Sequence, residues 1–309
     1  MNKDNGRPKA AVHSLDHYAL TVPDLAQAEH FLTAFGLAVT RRQGRLDVAA
    51  RDGHVSARFF AGERKALAYL SFNCFAGDLD AIRGQLLAAG ARFAGGSPHV
   101  TAEGLWFFDA DGNLIQVKAG PKTSPGAKSP LDEVHGPADA RGARFRSGVK
   151  AVRPRRLSHV LLFTPGVSRA LAFYGRTLGL RLSDRSGEGI AFTHAPHGCD
   201  HHLVAFAGSA ARGWHHAAWD VASIDEVGQG AAQMAAAGYK EGWGTGRHVL
   251  GSNFFHYVRD PWGSFCEYSA DIDYISAGRD WPSGDFPPED SLYQWGPDVP
   301  PYFTHNTEA

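Results

Sequence analysis

An internal repeat constrains this chain more than any other feature. Residues 15–39 (LDHYALTVPDLAQAEHFLTAFGLAV) and 157–182 (LSHVLLFTPGVSRALAFYGRTLGLRL) follow one plan. Each opens with Leu-x-His in a short apolar run that suits a buried strand, passes a proline-containing turn, and continues with apolar residues at helical spacing. Leu25, Ala28, Leu32 and Phe35 share one helical face in the first copy, as do Leu171, Tyr174 and Leu178 in the second. A glycine in C-cap position then precedes a new strand. Further on, residues 78–93 mirror 223–239 as amphipathic helices ending at a glycine. LWFFDADGNLIQV (105–117) mirrors FHYVRDPWGSFCEY (255–268) as two strands around a tight Asp/Gly turn. Two strand–helix–strands units in each half, four in all, make this an α+β fold.

The repeat also divides the chain. Residues 1–120 form the first half and 155–275 the second. Residues 121–154, rich in Pro, Gly, Lys and Arg and without periodicity, read as a linker or wrapping segment. Residues 276–309 form a tail rich in proline and aromatic side chains (Trp281, Phe286, Tyr293, Trp295, Tyr302, Phe303), which predicts a non-helical segment whose rings pack on something. A cap on the active site and a contact between subunits are both open to it. The formal net charge of −1 argues against a dedicated nucleic-acid binder and against a polybasic membrane-surface protein. No run of 18 apolar residues suggests a transmembrane helix, and the opening MNKDNGRPKAAVH has no hydrophobic signal core. Cys74, Cys199 and Cys266 are too scattered for a disulfide framework or a CxxC pair. The expectation is a reduced cytoplasmic protein.

Histidine departs from this ordinary composition. Half of the sixteen lie between His194 and His256, and neutral imidazole is both the commonest metal ligand and a near-neutral acid or base. The first strand of each half carries one, His17 and His159. The strand opening the next unit reads WHHAAWDV (214–221) in the second half but LAYLSFNC (67–74) in the first. After the turn glycine the second half has Glu267 where the first has Gln116. One half offers His, His and Glu on three strands; the other offers His, nothing and Gln. Duplication with loss in one copy makes the C-terminal half the working one and His17 a relic. Two imidazoles and one carboxylate are the ligand set of the facial triad, which leaves three positions open on a divalent iron with net charge +1. A closed structural zinc site would want four ligands, usually with thiolates.

With these residues in place, the sequence resembles a type I extradiol ring-cleaving dioxygenase of the vicinal oxygen chelate superfamily, in its two-domain, catechol 2,3-dioxygenase-like form. The resemblance spans roughly residues 13–275 and is most specific in GRHVLGSNFFHYVRDPWGSFCEYSADIDYI (246–275): a His, nine residues later a Tyr, a D-P-x-G turn, then the metal-binding Glu. It implies two domains, each of two βαβββ units in the glyoxalase-like manner, with the metal site in the C-terminal domain. It implies His159, His216 and Glu267 as metal ligands, His216 rather than His215 because the second His of the pair is the ligand in the family. DHHLVAF (200–206) resembles the segment that holds the distal acid/base, which makes His202 rather than His201 the proton donor that helps break the O–O bond. His248 and Tyr257 would flank the bound catechol, Tyr257 bonding its deprotonated oxygen. The cofactor implied is Fe(II), with Mn(II) accepted by the same ligands. The partners implied are a catechol, O₂ and further copies of the chain in a homo-oligomer, tetramer or dimer. Neither nucleic acid nor membrane is expected as a partner.

Two other readings come from the same superfamily: a non-redox metal-dependent glyoxalase- or isomerase-like enzyme, and a binding protein that sequesters its ligand. The first wants a second carboxylate as base, and only Asp184 and Glu188 lie nearby in sequence. The second needs no proton donor, so His202, His248 and Tyr257 weigh against it. Other signals are discounted. His197 and His201 have ligand spacing for a helix but are interrupted by Gly198. GWGTG (242–246) lacks a Walker lysine and reads as a loop leading to His248. Cys199 reads as incidental. Trp214, Trp243 and Phe254 suit a pocket wall or the core equally. Arg185, Arg212 and Arg247 are candidates for holding a carboxylated substrate, but none is obviously placed, which favours a neutral alkyl or aryl catechol.

Overall fold

The repeat read from the sequence is the repeat of the backbone. The computed structural model describes residues 10–96, 98–132 and 136–309. The first unit runs β1 (Val12–Val22), α1 (Leu25–Ala34), β2 (Ala38–Arg42), β3 (Arg45–Ala49) and β4 (Val55–Ala61). The second runs β5 (Ala66–Cys74), α2 (Leu79–Ala88), β6 (Leu105–Phe108) and β7 (Leu114–Ala119). The third runs β8 (Arg156–Thr164), α3 (Val167–Leu178), β9 (Arg181–Ser186), β10 (Ile190–His194), β11 (Cys199–Asp200) and β12 (Val204–Gly208). The fourth runs β13 (Gly213–Asp220), α4 (Ile224–Ala236), β14 (Gly242–His248), β15 (Phe254–Arg259) and β16 (Phe265–Ala270), after which come β17 (Tyr274–Ile275) and β18 (Tyr293–Trp295).

Two large curled sheets result, in the orders β2-β3-β4-β1-β5-β7-β6 and β18-β14-β15-β16-β13-β8-β12-β10-β9. The units of each half join through antiparallel pairing of their first strands, β1 with β5 and β8 with β13. Beside each first strand lies the last strand of its own unit, in parallel. The second unit lacks one strand of the expected βαβββ plan. Its place is marked only by a bridge from Phe93 to Phe107, because Gly95 and Gly96 interrupt the apolar alternation there.

Local chemistry sets the helix ends. Asp24 caps α1 by accepting from the backbone N–H of Ala26 (2.8 Å) and Gln27 (3.1 Å), and Ser223 caps α4 through Glu226 N–H at 3.1 Å. Gly179 ends α3 in the left-handed region, φ +70°. The predicted faces are buried, with Ala28, Phe31 and Leu32 inward on α1 and Val167, Ala170, Tyr174 and Leu178 on α3. Leu171 is only half-buried.

GWGTG differs from its sequence reading. It is not a loop but most of β14, paired with β15 on one side and β18 on the other. Its glycines answer to crowding: a Cβ on Gly242 would lie 1.9 Å from the Tyr257 carbonyl oxygen, and one on Gly246 2.6 Å from the Phe255 ring.

A single apolar core runs through both halves. Tyr18 stacks on Trp214 at 4.6 Å and Phe35 on Tyr268 at 3.9 Å, and Tyr268 Oη donates to the Phe35 carbonyl at 2.9 Å. Trp214 therefore belongs to the core. The described parts of the 121–154 linker lie against both halves, with Thr123 N–H on Ser14 Oγ (3.1 Å) and Asp132 N–H on the Ala222 carbonyl (2.7 Å). Val152, buried from that segment, meets Gly36 directly. Among the described residues no helix is long and apolar enough to cross a membrane.

Gly36 has φ +96°, and a Cβ there would lie 2.1 Å from the Val152 carbonyl oxygen. Gly36→Ala is expected to lower the unfolding free energy by about 2–4 kcal/mol, through left-handed strain and displacement of the wrapping segment. The urea midpoint measures it, and an unchanged midpoint would mean that the segment is not held there.

Candidate metal centre

Three adjacent strands of the second sheet, β8, β13 and β16, converge their side chains on one face. His159 and Glu267 both stand opposite Ala218 of β13, and His216 lies two residues before Ala218 on the same face. The small methyl of Ala218 leaves space among the three larger groups. The nitrogens and oxygen of His159, His216 and Glu267 lie within 4.8 Å of one another, all buried. Nε2 of His159 and Nε2 of His216 are each 3.4 Å from Glu267 Oε2. Atoms that bind one ion at about 2.1 Å and at right angles lie about 3.0 Å apart, so small movements bring these three onto one cation.

Hydrogen bonding supports that fit. His216 Nε2 and Glu267 Oε2 are buried with no partner among the described residues, whereas the opposite edge of each of the three groups is occupied. Glu267 Oε1 accepts from Asn253 Nδ2 (2.9 Å). His159 Nδ1 meets Ser158 Oγ (3.2 Å), which donates to Asp200 Oδ2 (2.7 Å). Arg156 clamps Asp200 in turn, Nη1 to Oδ2 at 2.7 Å and Nη2 to Oδ1 at 3.0 Å. Such outer partners aim metal ligands and fix their tautomers.

The first half is an internal control. By register His17 stands where His159 does, Tyr69 where His216 does, and Gln116 where Glu267 does. There His17, Tyr69 and Gln116 each have hydrogen-bond partners within the protein. His17 bonds Asp16 (2.6 Å) and Tyr69 Oη (2.9 Å), Arg58 Nη1 donates to the same Oη at 3.1 Å, and Gln116 Oε1 accepts from Ser71 Oγ at 2.8 Å. A guanidinium beside a closed set of bonds leaves nothing for a cation.

A β-bulge shapes the double histidine. Trp214 pairs with Leu162 and His216 with Leu161, so His215 is an extra residue. In a regular strand neighbouring side chains would point to opposite faces; the bulge lets both rings border the pocket. His215 Nδ1 meets His216 Nδ1 at 2.6 Å, and His215 Nε2 donates to the Phe303 carbonyl at 2.7 Å. Burial pushes the His215 imidazolium down to about 4. Burial and the neighbouring His215 hold His216 well below the ordinary histidine range.

His202 borders the pocket with its ring 3.9 Å from that of His159, and burial followed by the His159 charge lowers its pKa strongly. His201 lies behind it, with Nδ1 on His202 Nδ1 at 3.1 Å and Nε2 on Asp184 Oδ2 at 2.8 Å. His248 Nδ1 donates to the Leu292 carbonyl (2.6 Å), so its Nε2 is bare and accepts from Tyr257 Oη at 2.8 Å. Burial and then Glu267 raise Tyr257 well above the ordinary tyrosine range, so it remains a protonated phenol at the pocket. All six residues expected from the sequence meet here.

Apolar walls enclose the rest: Leu161, Ile190, Phe192, Leu250, Leu292 and Phe303. Among the described residues, no Arg or Lys lines the pocket. Arg185 is tied to Glu188, Arg212 to backbone carbonyls of the first half, and Arg247 stacks on Phe254. Trp243 backs the pocket, packing on Tyr257 at 5.6 Å and Phe303 at 4.8 Å. Phe254 packs against the core. Cys199 is buried away from the pocket, its thiol pushed up to about 12 by burial. The tail covers the site through Leu292 and Phe303 and adds β18 to the sheet. Residues missed from the sequence are Asn253, His215 as a partner of its neighbour, and the tail carbonyls. Only the SNFF stretch, a polar residue entering an apolar strand, hinted at Asn253.

Residues 14–117 and 156–268 match the Glyoxalase/Bleomycin resistance protein/Dioxygenase superfamily. The chain is 67% identical over 303 residues to Metapyrocatechase 2 of Cupriavidus necator, covering 98% of this chain and 95% of that protein. Solved structures share the fold. An Mn(II)-bound glyoxalase from Novosphingobium aromaticivorans superposes with TM-score 0.77 at 24% identity, over 96% of this chain and 95% of that one. An extradiol ring-cleaving dioxygenase from B. fuscum gives 0.75 at 20% identity, over 97% and 84%. The 2,2',3-trihydroxybiphenyl 1,2-dioxygenase of Sphingomonas wittichii gives 0.70 at 21% identity, over 94% and 100%.

Two measurements on the metal-free protein test the site. Asn253→Ala removes the donor that Glu267 Oε1 receives and is expected to lower stability by about 1–3 kcal/mol; no change in the urea midpoint would remove Asn253 from the site's support. Burial holds His215 and His256 at about 4, below the ordinary unfolded value of about 6.5. Between these values the unfolded chain binds more protons, so stability is intact above the window and is lost as pH falls through it. The urea midpoint should be lower at pH 5 than at pH 7.5, with a smaller difference in His256→Phe. Equal differences in the two proteins would place His256 outside the effect.

Proposed function

The chain belongs to the glyoxalase/bleomycin resistance protein/dioxygenase superfamily, and from that premise we propose that it is an extradiol dioxygenase, opening the ring of a catechol beside the diol with both atoms of O₂. The observation that carries this reading is an open cluster of two imidazoles and a carboxylate, with unpartnered Nε2 and Oε2 atoms, beside three further proton-handling groups. His159, His216 and Glu267 are proposed to hold Fe(II). The ligand set also accepts Mn(II), and iron is favoured because two His and one carboxylate with open positions suit non-haem Fe(II) oxygen chemistry. When bound, the metal supplies chelation of the diol and a route for electrons from diol to O₂.

The remaining work belongs to the side chains. Tyr257 Oη donates a hydrogen bond to His248 Nε2; it can take the proton of one diol hydroxyl while passing its own to that nitrogen, after which the phenol O–H donates to the deprotonated diol oxygen. His202, across the cluster against His159, is held neutral by burial and can take a proton and return it as the O–O bond breaks. The balance is simple: one C–C bond of the ring breaks, both oxygen atoms enter the product, and the protons that leave the diol return to it. Leu161, Ile190, Phe192 and Phe303 offer a slot for a flat ring and exclude bulk water. With no cation among the described lining residues, the proposed substrate is a catechol bearing hydrogen, alkyl or aryl groups rather than a carboxylate. The isomerase alternative finds no support: Asp184 is taken up by His201, and Glu188 is exposed.

Protein reconstituted anaerobically with Fe(II) should turn catechol or an alkylcatechol yellow on admission of O₂, as a ring-opened semialdehyde forms. His216→Ala should abolish this, and His202→Phe should lower kcat by about 10²–10⁴-fold. A carboxylated catechol should give a kcat/KM at least about tenfold lower. Full activity in His216→Ala would refute the ligand assignment.

A further inference from the structure

Two pairs of adjacent histidines border the site, and their geometry is the same. In each pair the Nδ1 atoms face one another, at 2.6 Å in His215–His216 and 3.1 Å in His201–His202. In each, the outer ring turns its Nε2 toward an atom that accepts: the Phe303 carbonyl at 2.7 Å and the Asp184 carboxylate at 2.8 Å. A carbonyl carries no hydrogen, so His215 must hold its proton on Nε2. A neutral His215 then has a bare Nδ1, and the proton in the 2.6 Å contact belongs to His216. His216 is left with a bare Nε2, the atom that faces Glu267 Oε2 at 3.4 Å. With His201 neutral and its Nε2 proton directed at the Asp184 carboxylate, the 3.1 Å contact gives His202 a protonated Nδ1 and a bare Nε2.

We propose that His215 and His201 are positioning residues that fix the tautomers of His216 and His202, and that the C-terminal tail is the immobile end of both relays. The tail provides the Phe303 carbonyl directly. It also holds Asp184, with Gly284 N–H on Oδ1 at 2.9 Å and Trp281 Nε1 on Oδ2 at 3.3 Å. A third tail group, the Leu292 carbonyl, sets His248 in the same way at 2.6 Å. Three pocket imidazoles thus owe their proton pattern to one segment. That segment is pinned in turn: Glu308 Oε1 accepts from buried Lys65 Nζ (2.7 Å) and from Trp214 N–H (3.0 Å). A cover of apolar side chains alone would not require backbone carbonyls at these nitrogens. The consequence for metal binding rests on the reading of His216 as a ligand; the tautomer assignment does not.

The full-length protein, labelled with ¹⁵N-histidine and free of metal, tests the assignment by long-range ¹H–¹⁵N correlation of the imidazole rings. The expected pattern is protonated Nδ1 on His216 and His202 and protonated Nε2 on His215 and His201. A His216 protonated on Nε2 overturns the proposal. Titration with Zn(II) then reads the consequence. His215→Phe should weaken binding about 10–100-fold. His215→Gln, whose amide can accept from His216 and donate to the carbonyl, should recover most of it. Phe303→Ala, which keeps the carbonyl, should leave the affinity nearly unchanged. Equal losses in His215→Phe and His215→Gln, or a loss in Phe303→Ala as large as in His215→Phe, would mean that packing acts there and not a relay. The expected ring pattern in wild-type protein that fails to bind Zn(II) would sustain the relay and remove the metal centre instead.

Discussion

Everything at the centre of this molecule depends on the antiparallel pairing of β8 with β13. That pairing sets two imidazoles side by side, and β16, added in parallel to β13, brings Glu267 level with His159 across Ala218. Two irregularities in the ladder refine it. The extra residue His215 turns two adjacent rings toward the pocket, and the extra residue Ser158 places a hydroxyl behind His159. A perfectly regular ladder would send one histidine of each His-His or Ser-His neighbour pair to the far face. The site therefore depends on defects held in place by a well-paired sheet.

The same pairing, β1 with β5, exists in the first half without any such site. Scaffold alone does not generate chemistry; what differs is whether hydrogen bonds close on themselves. In the first half Tyr69 and Arg58 complete the bonds of His17, and a relic becomes a satisfied core. In the second half His216 Nε2 and Glu267 Oε2 have no partner among the described residues, while the opposite atoms, His216 Nδ1, His159 Nδ1 and Glu267 Oε1, each have one. An unpartnered buried nitrogen or oxygen costs about 1–3 kcal/mol. Two halves of one duplication thus hold opposite solutions to the same accounting of donors and acceptors.

Much of this was legible in the sequence because repetition and alternation are one-dimensional. Leu-x-His at the head of two repeats, the double histidine and the glutamate after a D-P-x-G turn locate three strand positions whatever the details of packing. His248 and Tyr257 came from the resemblance to the extradiol family, whose pattern sets a His nine residues before a Tyr. Less visible was whatever depends on a bulge, on a carbonyl or on close approach. Backbone carbonyls carry no residue identity, so the roles of Leu292 and Phe303 leave no mark in the letters. Glycines normally punctuate loops, and GWGTG obeys a different constraint, being squeezed between β15 and β18. Asn253 is one polar residue at the head of an apolar strand until Glu267 is seen to need it. The missing strand of the second unit was hidden for the opposite reason, since the repeat predicts it and Gly95 and Gly96 remove it.

These observations assign the tail a role beyond that of cover. The pocket is walled by apolar side chains, yet several imidazoles border it, and the proposed chemistry requires their protons to sit on chosen nitrogens. Burial alone keeps the rings neutral but does not choose between Nδ1 and Nε2, because the two tautomers of an isolated imidazole are close in energy and each is a competent donor on one side. The choice requires an acceptor outside the ring, dry and fixed. Side-chain acceptors near the metal would compete for it, and water would spoil the hydrophobic walls. Backbone carbonyls of an irregular segment meet both conditions: they are neutral, unable to donate, and not consumed by a sheet ladder. An extended tail rich in proline can present them where a helix or strand would already have used them. The irregularity that makes the tail hard to predict is the property that makes it suitable.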